Sequence, residues 1–286
     1  MKDYSHFDPD TVAPQIPLPA GACDSQIHVF GDPEAYPYSP RAAYLAPDAT
    51  IEAALKMHSV LGIEKGIVVQ STAYGTDHRA LLDALAVAGP GYRGCGVVDD
   101  DTTDEELARL HEGGVRGARF NFHGTLGHAP SADLVRRTIA RVAELGWYVK
   151  FHVNGLPLAE LDVLDDVTGP AVIDHFGPLD YSQGLQDANF GRVRELLGRG
   201  NWYVMVSNGD RRSQLGSPYD DAAAYARGYI ATAPERVLWG TDWPHPLHTG
   251  VVPNDGHLVD LLHRYAPDEA ELRRVLLDNP AELFGV

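Results

Sequence analysis

Several polar side chains suited to acid–base chemistry stand at the ends of short apolar runs in this 286-residue chain. Gln26 and His28 lie two apart in "CDSQIHVF", so on a strand they share a face. Further along come Arg119, Asn121 and His123, then Lys150, His152 and Asn154, then Asp174 and His175. Ser207 and Asn208 precede Arg211 and Arg212, and Asp242 sits in "LWGTDWPHP". A carboxylate in so apolar and aromatic a setting is costly unless it has partners or a task. Asp242 is therefore the candidate general base, and desolvation beside Trp239 and Trp243 is expected to raise its pKa. His28 and His175 are candidate hydrogen-bond donors to a reacting carbonyl, with Gln26 as a neutral donor. Arg119 and one of Arg211 and Arg212 could hold a substrate carboxylate through paired N–H groups. Lys150, flanking His152, is expected to face outward. Asp174, next to His175, is expected to face away from it in a structural role. His245 and His248 follow on a loop as supporting candidates.

These residues need a scaffold that brings the strand ends together. Eight apolar runs recur, at 23–30, 66–70, 94–98, 117–122, 147–153, 171–175, 202–207 and 236–242. Between them lie stretches with helical spacing, at 50–62, 77–89, 132–146, 187–200 and 220–233, several of which end at glycine. The connection after the sixth strand carries a short pattern. The last thirty residues read as two helices and a tail. This alternation predicts an α/β fold, a (β/α)8 TIM barrel, with the site at the C-terminal ends of the strands. An open doubly wound sheet is the competitor. Its dinucleotide-binding version is weakened because no glycine-rich phosphate loop follows the first strand. One domain over residues 1–286 is expected, with residues 1–20 as an extended N-terminal arm.

Bulk properties narrow the partners. The formal net charge of −17 argues against nucleic acid and against an anionic membrane. No apolar run is long enough to span a bilayer, and the first residues lack the apolar core of a signal peptide. Cys23 and Cys95 lie in apolar runs and read as reduced core residues, so the expected location is cytoplasmic. No motif is diagnostic of an interface, which leaves a homo-oligomer open.

The stretches "CDSQIHVFG", "IVVQSTAYGTD", "RGARFNF", "VIDHFG" and "VLWGTDWPHP", in this order, resemble the amidohydrolase superfamily. More narrowly they resemble its branch of pyrone-dicarboxylate lactonases and galactarolactone isomerases. The resemblance implies an amidohydrolase-like barrel that opens a small acidic lactone with Asp242 as base and His28 and His175 at the carbonyl. It implies substrate contacts from Gln26, Tyr44, Ser71, Arg119, His152, Arg211 and Arg212. Superfamily metal ligands correspond to Gln26 with His28, His152, His175 and Asp242. Glutamine at the first of these positions argues against a two-metal centre, and the branch works without a required divalent metal, so no cofactor is favoured. His152 stands where the lactonase has tyrosine, so His28, His152, His175 and Asp242 keep a single zinc ion open. The lactonase also carries an arginine soon after "RFNF". Here "RFNFHGTLGHAP" has none, which weakens a pyrone dicarboxylate as substrate. Lactone isomerisation, zinc-dependent hydrolysis or decarboxylation, and a non-enzymatic binding barrel are the alternatives.

Overall fold

The computed structural model describes residues 4–126 and 129–286. Eight parallel strands follow one another around the sheet in chain order. They are β1 (Cys23–Ile27), β2 (Lys65–Val69), β3 (Tyr92–Val97), β4 (Val115–His123), β5 (Tyr148–Asn154), β6 (Ala171–Ile173), β7 (Trp202–Met205) and β8 (Val237–Leu238). The expected TIM-barrel order is thus present. Closure between β8 and β1 runs beyond the short last strand. Ser25 donates to the Trp239 carbonyl, Asp242 to that of Gln26, and His28 to that of Trp243. Gly240 makes this seam possible, because a Cβ there would lie 2.6 Å from the Gln26 nitrogen.

The helices are α1 (Ile51–Leu61), α2 (Arg79–Ala88), α3 (Asp104–Glu112), α4 (Ala132–Ala143), α5 (Ala188–Leu197), α6 (Gly209–Arg212), α7 (Asp220–Thr232), α8 (Asp255–Tyr265), α9 (Glu269–Arg273) and α10 (Asn279–Phe284). Side-chain caps start several of them. Thr50, Thr103 and Ser131 accept from backbone N–H groups two or three residues into the first turn, which satisfies donors the helix leaves open. After β6 the helix expected over 187–200 forms as the ten-residue α5, while the link from β5 to β6 carries only two short 3₁₀ turns. The two terminal helical segments form as expected, with a single π-helical stretch, Arg274–Asp278, joining α9 to α10.

Two apolar layers result. Between barrel and helices lie residues such as Phe120, Phe151 and Trp202. Inside the barrel, Cys23, Ile67, Val69, Cys95, Val172 and Met205 pack into one cluster that reaches the N-terminal end of the strands at Cys23. Phe284 closes that end against Tyr148, ring centroids 5.0 Å apart. Both cysteines are buried and unpaired. Residues 4–20 contain no helix or strand and lie along the barrel, with Val12 donating to Asn254 and Gln15 to Asp260. Residues 1–3 of the expected arm lie outside the described residues. Among the described residues no helix is long and apolar enough to cross a membrane.

Candidate active site

Strand alternation places most of the site. On β5, Tyr148, Lys150, His152 and Asn154 point inward and rise in that order from floor to mouth, while Val149, Phe151 and Val153 pack outward. In the neighbouring register Arg119 lies beside Lys150, Asn121 beside His152 and His123 beside Asn154. Lys150 is therefore internal, 1% exposed, and not outward as expected. It is two residues from His152, and that spacing puts both on one face.

Loop conformation places the rest. β6 ends at Ile173, and His175 and Phe176 adopt left-handed backbone, φ 48° and 62°. Strand alternation therefore stops at Asp174, and both Asp174 and His175 turn into the barrel. The expectation that Asp174 faces away from His175 fails for this reason. Asn208 and Asp242 also have left-handed φ, 62° and 61°. Asparagine and aspartate tolerate that region better than other non-glycine residues, and such strain concentrates at functional sites.

A cavity of about 210 Å³ opens at the C-terminal ends of the strands, with His28, Tyr44, Arg119, His152, His175, Arg211, Arg212 and Asp242 in its wall. The walls also include Thr72, His123, Asn154 and Asn208, and the apolar Leu126, Pro246 and Leu247. Thr72, Pro246 and Leu247 carried no signal in the sequence beyond adjacency to Ser71 and to "WPHP". Two expected substrate contacts stand behind the wall. Ser71 bonds the Tyr44 hydroxyl at 2.8 Å. Gln26 is fully buried and committed to internal partners.

Asp242 is held on both oxygens. Oδ1 lies 3.2 Å from His28 Nε2 and accepts from Gln26 Nε2 at 3.3 Å. Oδ2 accepts from Asn208 Nδ2 at 2.7 Å and lies 3.7 Å from Arg211 Nη1. Burial alone would raise its pKa; His175, His28 and Arg211 outweigh that and hold it well below the ordinary carboxylate value. This corrects the expected upward shift: burial desolvates the group, but its polar neighbours decide its charge.

The histidines divide in role. His28 Nδ1, 2.6 Å from the Val69 carbonyl, donates to it, which turns Nε2 toward Asp242. His152 Nδ1 accepts from Arg119 Nη2 at 3.0 Å, leaving the Nε2–H form. Burial, with Arg119 and His175 adding to it, holds His152 well below its usual pKa. His175 Nδ1 lies 3.1 Å from the Asn208 amide and 2.7 Å from the Ser207 hydroxyl. Burial lowers its pKa to about 4 despite Asp174 and Asp242. His152 and His175 are thus neutral near pH 7.

The arginines also separate. Arg212 donates to the carbonyls of His175, Gly177 and Leu179, and so braces the loop after β6. Among the described residues Arg211 makes one hydrogen bond, 3.2 Å to the Pro246 carbonyl, and it lines the cavity with its remaining donors. Arg119 pairs with buried Asp174 at 3.2 Å, while its Nε is buried without a partner. His245, behind the Asp242 loop, bonds Asp255 at 3.1 Å.

Metal ligation tests differently from the expected set. The donor atoms that converge within 4.8 Å belong to His152, Asp174 and His175, not to His28, His152, His175 and Asp242. Arg119 Nη2 already faces His152 Nδ1 and Asp174 Oδ2, and Lys150 Nζ lies 3.3 Å from Asp174 Oδ1. Two fixed cations therefore neutralise the only carboxylate of that group, and the donor set does not fit a divalent ion while Arg119 keeps its place.

Similarity to known proteins covers nearly the whole chain. It is 36% identical over 281 residues to the 2-pyrone-4,6-dicarboxylate hydrolase of Comamonas testosteroni, spanning 95% of this chain and 92% of that protein. It is 35% identical over 274 residues to a 4-sulfomuconolactone hydrolase of Hydrogenophaga intermedia, spanning 94% and 90%. A solved Agrobacterium tumefaciens structure superposes with a TM-score of 0.84 at 29% identity, covering 96% of this chain and 98% of that one. Residues 23–286 match the family model described as Amidohydrolase, and the chain belongs to that family.

Proposed function

We propose that this protein hydrolyses a small, carboxylate-bearing lactone, without a metal ion. The observation that carries the reading is Asp242, an ionised carboxylate held by His28, Gln26 and Asn208, facing a cavity into which Arg211 presents uncommitted donors. The cavity is small by the usual range for ligand pockets, which suits a single ring rather than an oligomer. The named activities of the two relatives, both hydrolases of cyclic esters, point the same way.

In this reading Arg211 holds the substrate carboxylate and fixes the ring against Asp242. Asp242 takes a proton from water as the water oxygen bonds to the ring carbonyl carbon. N–H donors from neutral His152 and His175, with Arg119, stabilise the developing oxyanion. The ring C–O bond then breaks, the proton passes to the leaving oxygen, and a hydroxy acid is released. A carboxylate held so far below neutrality is a weak base, so the rate rests on positioning and on carbonyl polarisation. Metal-free chemistry is supported by Arg119 and Lys150, which both pair with Asp174, the carboxylate of the converging donor group.

The test is turnover of 2-pyrone-4,6-dicarboxylate, 4-sulfomuconolactone and sugar-acid lactones, followed by acid release, with and without chelator. Ring opening that survives the chelator is expected. One equivalent of retained zinc together with chelator-sensitive turnover would overturn the metal-free reading. Formation of a second lactone with no acid released would make the enzyme an isomerase. Absence of turnover with ligand binding intact would make it a binding protein.

A further inference from the structure

Gln26 and Lys150 are both buried beneath the cavity and neither lines it. Lys150 Nζ donates to Gln26 Oε1 and lies 3.3 Å from Asp174 Oδ1. An ammonium has donors and no acceptor, so it decides which end of the Gln26 amide is oxygen. Nε2 must then face the other way, where it donates to Asp242 Oδ1 at 3.3 Å and to Asp174 Oδ2 at 3.3 Å. With the amide reversed, a carbonyl oxygen would oppose the Asp242 carboxylate inside a dry barrel, where an unpaired polar contact is costly.

We propose that Lys150 is a positioning residue for the base: it locks Gln26 so that an amide N–H, and never a carbonyl, meets Asp242. The mechanistic consequence rests on the reading of Asp242 as base; the orientation of the amide does not. Lys150 touches neither the cavity nor, in that reading, the substrate. Its effect belongs to kcat and reaches Asp242 through Gln26.

The experiment is a double-mutant cycle with 2-pyrone-4,6-dicarboxylate as probe, using Lys150→Met, Gln26→Met and the pair. Methionine keeps much of the volume of each side chain and removes its polar end. Each single variant is expected to lower kcat about 10- to 100-fold, the range for a lost hydrogen bond to a buried charge, with KM within about threefold. The double variant should be no slower than the slower single variant, because one residue acts through the other. Losses that multiply in the double variant, or a Lys150→Met kcat equal to wild type, would overturn the proposal. If Lys150→Met does not fold, an unchanged kcat in Gln26→Met overturns it alone.

A second readout needs no turnover: the Gln26 side-chain NH₂ resonances in 15N-labelled protein, identified by their loss in Gln26→Met. Slow hydrogen exchange in wild type and its loss in Lys150→Met are expected. Identical shifts and protection in both proteins would overturn the proposal even if the lactones prove not to be substrates. Failure of all three lactones with the protected amide intact would instead overturn the functional reading.

Discussion

Asn208 Nδ2 donates to Asp242 Oδ2 at 2.7 Å, and both residues hold left-handed backbone at the ends of adjacent strands. One consequence is that Asp242 is held on both oxygens, Asn208 on one and His28 and Gln26 on the other. The carboxylate is aimed before any substrate arrives, as preorganised catalysis requires.

Asp242→Asn should therefore lower kcat by about 100-fold or more, because the base is lost and an amide NH₂ must face one of three donors. Steady-state kinetics on any lactone the wild type opens would check this. Near-wild-type turnover would remove Asp242 from the mechanism.

The paired arginines should behave differently despite being neighbours. Arg211→Met should raise KM for an acidic lactone about tenfold or more, with Tm nearly unchanged, since among the described residues its guanidinium has one protein hydrogen bond. Arg212→Met should lower Tm instead, because three backbone carbonyls after β6 lose their donor. Kinetics and thermal melts of both variants decide; a KM effect confined to Arg212 would reverse the assignment.

Acid should destabilise the fold through its buried histidines. His175 has its pKa lowered to about 4 by burial, and His152 is lowered for the same reason. In the unfolded chain both titrate near 6.5, so between that pH and about 4 the unfolded state binds more protons and stability falls with falling pH. For His175 the full loss is on the order of 3 kcal/mol. His245, raised by Asp255 against the effect of burial, adds stability as pH falls toward its unfolded value near 6.5 and contributes no further change well below it. Urea denaturation from pH 7 to 4 should show a steadily falling midpoint. A flat profile would mean that these histidines are protonated in the fold.

Much of the site was legible because strand geometry is periodic. Gln26 and His28 both reach Asp242, as a spacing of two predicts. Arg119, His152 and Asn154 reach the interior by the same rule, and so does Lys150, once the rule is applied to it. The order of the eight strands followed from the alternation of apolar runs with helical spacing. Asp174 and His175 escaped the rule because the strand ends at Ile173 and His175 itself takes left-handed backbone, and periodicity carries no information beyond a strand end. The direction of the Asp242 pKa escaped for another reason. Local sequence shows only the apolar setting around the group, whereas His28, His175 and Arg211, which decide its charge, are distant in the chain.

The sequence by itself determined the barrel, the family resemblance and the inventory of polar residues at the strand ends, because each depends on local composition and on periods of two and 3.6 residues. Only the tertiary structure decided how those residues divide. It separated Arg211, open to the cavity, from Arg212, bound to the backbone. It placed Gln26 beneath the site, between Lys150 and Asp242, and set Arg119 against Asp174 and His152 where a metal would need those donors. Hydrogen-bond partners depend on distance and direction between residues far apart in the chain, and barrel closure alone supplies both.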